Sequence, residues 1–130
     1  MTDQEFIDGF FSGKLLNGEF HHRDHLRLTW LVLSRHGRER GSRMLAHGIS
    51  HFAAAHGQAS RYHETMTRFW IWLVDHVRTS QPQLDSFEEF LTAFPAALDK
   101  NLPFRHWTKE VMMSPSARST WVEPDMVPLP

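Results

Sequence analysis

The sequence predicts an all-α protein, a single-domain helical bundle of five to seven helices with an extended C-terminal tail, in which residues 1–130 form one domain. Three observations lead to this prediction. Apolar residues recur at helical spacing, and no stretch shows the apolar–polar alternation that is typical of a strand. Residues that favour helix starts and stops divide the chain into segments. The connections are short, which favours antiparallel neighbours.

The first two helices carry clear signals at their ends. Thr2 and Glu5 fit a capping box, which predicts helix one over about residues 3–12. Helix two is predicted over about residues 23–36 and stops at Gly37. It is apolar nearly all round, which is typical of a central helix. The apolar residues are Leu26, Leu28, Trp30, Leu31, Val32 and Leu33.

The later helices are predicted in the same way. Helix three covers about residues 42–56, and helix four covers about residues 61–78 with Ser60 as candidate N-cap. Further helix starts are marked by capping residues and prolines: Ser86 before a helix that Pro95 ends, Thr108, and Ser114 followed by Pro115. The tail after Trp121, VEPDMVPLP, is predicted to be extended. Because it is apolar, we expect it to pack over the bundle or across a neighbouring subunit of a homodimer.

Composition excludes several classes of function. The net charge is −1, from 14 basic and 15 acidic residues, so no nucleic-acid partner is predicted. There is no cysteine, so any metal must be held by His, Asp or Glu. No apolar run approaches the ~18 residues that a membrane span requires, and the start lacks a signal layout. We therefore predict a cytoplasmic protein without a membrane partner. Histidine is the compositional outlier, at 10 of 130 residues.

Two histidine-containing stretches are predicted to meet. If helices two, three and four alternate in direction, helices two and four run parallel, and both stretches lie at their N-termini. On helix two, His22 and His25 are i,i+3 neighbours on the inward side, while His21 pairs with His25 at i,i+4, so two candidate pairs remain. On helix four, His63 points to the core and Glu64 lies at the margin of that face.

The chemistry of these positions favours a metal site. The dipole at a helix N-terminus disfavours cations, and a partly buried histidine there is driven towards the neutral form that ligates metals. His22, His25 and His63 are candidate ligands for a divalent metal, zinc or iron. Glu64 is a candidate fourth ligand or a general base on metal-bound water, with His63 as its catalytic neighbour. The hypothesis is a small metal-dependent enzyme that acts on a small-molecule substrate.

Other interpretations of the same residues stay open. The site is alternatively a non-enzymatic module that binds a metal, haem or a small ligand, or a metal-free acid–base pair of His63 and Glu64. A structural hydrogen-bond network at the end of the bundle is a further alternative. His47 and His51 point outward and are not expected to form a site. Arginines at this end, Arg23, Arg27 and Arg61, are either solvated or hold an anionic substrate.

Three motifs resemble a group of small bacterial proteins. The first, F-x-H-x-x-H-L-R-x-x-W, falls on Phe20 to Trp30, and the second, Y-H-E-T-x-T, falls on Tyr62 to Thr67. The third, V-E-P-D-x-x-P-L-P, forms the tail from Val122 to Pro130. The resemblance implies His22 rather than His21 as the functional residue. It also implies a role for Tyr62, His63 and Glu64, and it implies no particular reaction.

Overall fold

The computed structural model describes residues 1–130 as six α-helices and four short 3₁₀ turns, without a strand. The α-helices are α1 (Asp3–Phe11), α2 (His22–Ala55), α3 (Glu64–Ser80), α4 (Phe87–Ala93), α5 (Lys109–Met112) and α6 (Pro115–Ser119). The 3₁₀ turns are Asn17–Glu19, Ala59–Arg61, Pro95–Leu98 and Leu102–Arg105. The predicted all-α class is confirmed. None of these helices combines the length and the apolar composition that crossing a membrane requires.

Helix α2 consists of two arms that fold back on each other. Gly37 interrupts it with φ 80° and ψ 175°, a conformation that glycine adopts because it has no Cβ. We call residues 22–36 the first arm and residues 38–55 the second arm. Phe20, just before the first arm, lies with its ring centroid 5.0 Å from that of Phe52, near the end of the second. The predicted break at Gly37 is confirmed. The next helical segment was predicted to begin at about residue 42, but the second arm begins directly after Gly37, because the reversal needs no loop.

The core lies between the two arms and α3. The first arm is among the most buried elements, as predicted, and Leu28 and Leu33 have no exposed surface. The second arm approaches it closely at Gly41, where an added Cβ would lie 3.1 Å from Leu33 Cδ2. One connected set of buried apolar side chains extends from Phe6 in α1 to Met112 in α5. The helices therefore form a single domain around one core.

Side-chain caps define most helix starts. The predicted capping box of α1 is present: the Glu5 amide donates to Thr2 Oγ1 at 3.1 Å, and the Thr2 amide donates to Glu5 Oε1 at 3.0 Å. Three other predicted caps accept a first-turn amide, namely Ser86, Thr108 and Ser114. Helix α3 differs from prediction, since Ser60 lies in a 3₁₀ turn and His63 is the N-cap. The extra turn delays the helix start to Glu64.

The C-terminal tail is fastened to the bundle. The Trp107 indole N–H donates to the Val122 carbonyl at 2.9 Å. The Thr108 amide and hydroxyl each donate to the Asp125 carboxylate at 2.8 Å. The tail therefore contacts the bundle, as one of the two predicted arrangements requires. Its extended course is not confirmed, because residues 125–127 form a bend.

Candidate functional site

A cleft of about 650 Å³ opens where the first arm of α2 and helix α3 begin. That volume falls within the roughly 300–1,000 Å³ range of small-molecule sites. The wall contains four histidines, namely His21, His22, His25 and His63. The two N-termini therefore meet at one end of the bundle, as the parallel course of these helices predicts.

The His25 imidazole faces this cleft and makes no hydrogen bond to the protein, since the residue bonds to His21 and Thr29 through its backbone alone. Its ring packs against Phe20, with 3.9 Å between the ring centroids. Burial, and to a smaller extent the nearby His22, lowers the pKa of His25 to about 4. The ring is therefore neutral at pH 7. It offers the cleft one lone pair and one N–H group.

His22 is held in one orientation by the protein. Its Nε2 donates to the carbonyl of Ala97 at 2.8 Å, so that Nδ1 carries the free lone pair. The ring packs edge-on against Trp70, with ring centroids 4.5 Å apart, and burial lowers its pKa. His21 is exposed, and its backbone N–H donates to the Asp24 carboxylate at 3.0 Å. Asp24 therefore caps the start of α2.

His63 is buried and uses both ring nitrogens within the protein. Nδ1 accepts the Met66 amide at 3.1 Å, which caps α3, and Nε2 donates to the Met112 carbonyl at 2.6 Å. Because an amide can only donate, Nδ1 is the unprotonated nitrogen and Nε2 carries the proton. A role for His63 as a metal ligand or general base would require one of these bonds to break. In this geometry the ring ties α3 to α5.

Glu64 faces a different part of the surface. It lines a second cleft, of about 500 Å³, between α3 and the second arm, and it does not line the histidine cleft. Tyr62, which does line the histidine cleft, donates its hydroxyl to Glu64 at 2.6 Å. Burial and this hydrogen bond raise the pKa of Tyr62, so the phenol stays protonated at neutral pH. The Tyr62–Glu64 pair thus stands between the two clefts.

The predicted zinc or iron ion does not fit these residues. No group of three or more His, Cys, Asp or Glu side chains is arranged to hold a metal ion. No carboxylate lines the histidine cleft, and His63 has no free lone pair. Zinc sites need at least three such ligands, and the common iron site needs two histidines and a carboxylate. Of the predicted ligands, only His22 and His25 retain a nitrogen that the protein does not bind.

Two cleft residues, Tyr62 and Arg118, were not among the predicted metal ligands or catalytic residues. Tyr62 carried a signal, because it precedes His63 in the Y-H-E-T-x-T motif. Arg118 carried none, because it reaches the cleft from α6, far along the chain. His47 and His51 are both exposed, with stacked rings whose centroids are 6.2 Å apart, as their outward direction on the helix predicts, and they line neither cleft.

Comparison of the chain with protein-family models, with curated proteins and with solved structures gave no match. The chemistry of the cleft is therefore the basis of the functional assignment.

Proposed function

We propose that the histidine cleft is a metal-free binding site for a small organic molecule, in which His25 hydrogen-bonds to the ligand and exchanges a proton with it. One observation carries the proposal: the half-buried His25 imidazole faces a cleft of about 650 Å³ and has no hydrogen-bond partner in the protein. The ring nitrogens of His25 are open to the cleft, so a molecule that enters the cleft can hydrogen-bond to them.

The other cleft residues support this assignment by the groups that they offer. His22 presents a fixed acceptor at Nδ1, because Nε2 is bound to Ala97. Tyr62 presents oxygen lone pairs, because its proton is directed to Glu64. The remaining wall is largely apolar, which suits the hydrocarbon part of a small molecule. This apolar part includes Phe20, Phe52, Met66 and Trp70.

The acid–base capacity of His25 depends on what binds beside it. With a pKa of about 4, the free ring is a weak base at pH 7. A ligand that accepts a hydrogen bond from the imidazolium, or that carries negative charge, raises this pKa towards neutrality. Binding and proton uptake by His25 are therefore coupled. His63 and Glu64 act in this proposal as structural groups, because each already has a partner in the protein.

Fragment screening by NMR tests the proposal. In isotope-labelled protein, the imidazole signals of His22 and His25 report on ligands in the cleft, and those of His47 serve as an internal reference. We expect fragments that bind to shift the His25 signal. His25→Gln should abolish their binding, and His47→Gln should leave it unchanged. Fragments that bind only elsewhere, or that bind equally to His25→Gln, would contradict the proposal.

A further inference from the structure

The charged side chains that line the histidine cleft are both arginines. Arg61 and Arg118 line it, and no aspartate or glutamate does. Both arginines are exposed and lie at its mouth. The rest of the lining consists of imidazoles, a phenol, two threonine hydroxyls, two side-chain amides and apolar groups. The cleft therefore offers positive charge without a fixed negative partner.

These two arginines differ from others at the same end of the bundle. Arg23 pairs with Glu88 at 3.7 Å, and Arg27 pairs with Asp3 at 2.7 Å. Arg61 and Arg118 form no ion pair. Because an arginine retains its charge at all relevant pH values, these two guanidinium groups remain available to an anion from solution.

The position of Arg118 is set by the turn that carries Arg61. The Arg118 guanidinium donates to the carbonyl of Ser60 at 3.2 Å, and Ser60 directly precedes Arg61. This hydrogen bond holds α6 against the Ala59–Arg61 turn. It places the Arg118 guanidinium beside the backbone of the turn that carries Arg61, and it uses only one of the guanidinium nitrogens of Arg118.

We propose that the ligand of the histidine cleft is a small organic anion, a carboxylate or phosphate on an apolar body, whose charged group binds Arg61 and Arg118. The proposal rests on the binding function proposed for this cleft and names the class of its ligand. Guanidinium groups bind carboxylates and phosphates through paired, charge-assisted hydrogen bonds. The apolar body would lie on Phe20, Phe52 and Trp70, within reach of His22 and His25.

Three probes of similar size test the proposal. Phenylacetate and phenyl phosphate carry the two anionic groups, and phenylacetamide is the neutral counterpart of phenylacetate. Each is titrated into isotope-labelled protein, and the His25 imidazole and Met66 methyl signals are followed by NMR. The variants are Arg61→Gln, Arg118→Gln and Arg61→Lys. Arg40→Gln is the matched control, because Arg40 is exposed and lines neither cleft.

We expect at least one anionic probe to bind in the cleft at least about tenfold more tightly than phenylacetamide. Each of Arg61→Gln and Arg118→Gln should weaken that binding about tenfold. Arg61→Lys should restore part of it, and Arg40→Gln should change nothing. The tighter of the two anionic probes identifies the preferred anionic group.

Two results would overturn the proposal. They differ in whether the binding function proposed for the cleft is also called into question. If phenylacetamide shifts the His25 signal as readily as the anions, or if the arginine variants bind as the wild type does, the anionic class is wrong and the cleft proposal stands. If none of the three probes shifts the His25 or Met66 signals, the proposal that the ligand is an organic anion is wrong. A fragment screen without hits at His25 would then remove the binding function as well.

Discussion

His25 and His63 occupy similar positions in the sequence and do different work in the fold. Both lie at or near a helix N-terminus, and both line the same cleft. His63 has a protein partner at each ring nitrogen, whereas the hydrogen bonds of His25 are made by its backbone. The difference teaches that an inward-facing histidine is available for chemistry only where the fold leaves its nitrogens free. Helical spacing decides the direction of the ring and says nothing about its partners.

The largest expected effect is a difference in the free energy of unfolding between variants of His63 and variants of His25. His63→Ala should lower the free energy of unfolding by about 3–4 kcal/mol, because it removes the cap of α3 and leaves the Met112 carbonyl without its donor. His63→Asn should recover about 1 kcal/mol of this loss, since asparagine is a good N-cap. His25→Gln should cost less than about 1 kcal/mol at pH 7. Urea denaturation measures all three, and equal losses for His63→Ala and His25→Gln would refute the comparison.

The second effect is a pH dependence that His25 confers. Its pKa is about 4 in the folded protein, against about 6.5 when unfolded, so the unfolded chain takes up the proton first as the pH falls. This contribution to stability is fully present above pH 6.5 and decreases as the pH falls towards 4. The loss is roughly 3 kcal/mol at pH 4. Denaturation of wild type and His25→Gln between pH 7 and 4 should show a steeper loss in the wild type, and parallel curves would contradict this assignment.

A smaller effect distinguishes the two clefts. Glu64→Gln weakens the hydrogen bond from Tyr62, which should cost about 0.5–1 kcal/mol. Ligand binding in the histidine cleft should change by less than about twofold, because Glu64 lines the other cleft. Titration of the variant with the anionic probes measures the affinity. Loss of binding in Glu64→Gln would instead indicate that Glu64 acts with the histidines, as the sequence suggested.

The smallest expected effects concern metal and the outward histidines. A chelator should leave the melting temperature of tag-free wild type unchanged, because the cleft supplies too few ligands to couple metal binding to folding. His47→Gln should change the free energy of unfolding by less than about 0.5 kcal/mol. If a chelator lowered the melting temperature of the wild type but not that of His25→Gln, the result would support the predicted zinc or iron site.

Much of the fold was predictable because its signals are local. The capping box at Thr2, the glycine break at Gly37 and the caps at Thr108 and Ser114 each involve residues within a few positions of one another. The start of α3 was not predictable from Ser60. That serine is a preferred cap by type, but the 3₁₀ turn over Ala59–Arg61 delays the helix until His63.

The candidate site was predictable only in part. The parallel course of two helices brought His22, His25 and His63 to one cleft. Which nitrogens remain free depends on carbonyls far away in the chain: Ala97, 75 positions from His22, and Met112, 49 positions from His63. Such long-range contacts leave no pattern in the sequence. Helical spacing alone therefore predicted a set of metal ligands that the geometry of the cleft does not fit.

The most direct measurement is imidazole NMR of the wild type over a pH titration, in the absence of any ligand. We predict that His25 titrates near pH 4. We also predict that His63 shows a single tautomer, with the proton on Nε2, which exchanges slowly with water because it is bound to the Met112 carbonyl. A His25 ring that titrates near 6.5, or a His63 ring that exchanges rapidly between tautomers, would contradict the distinction between a free and a fully bonded histidine.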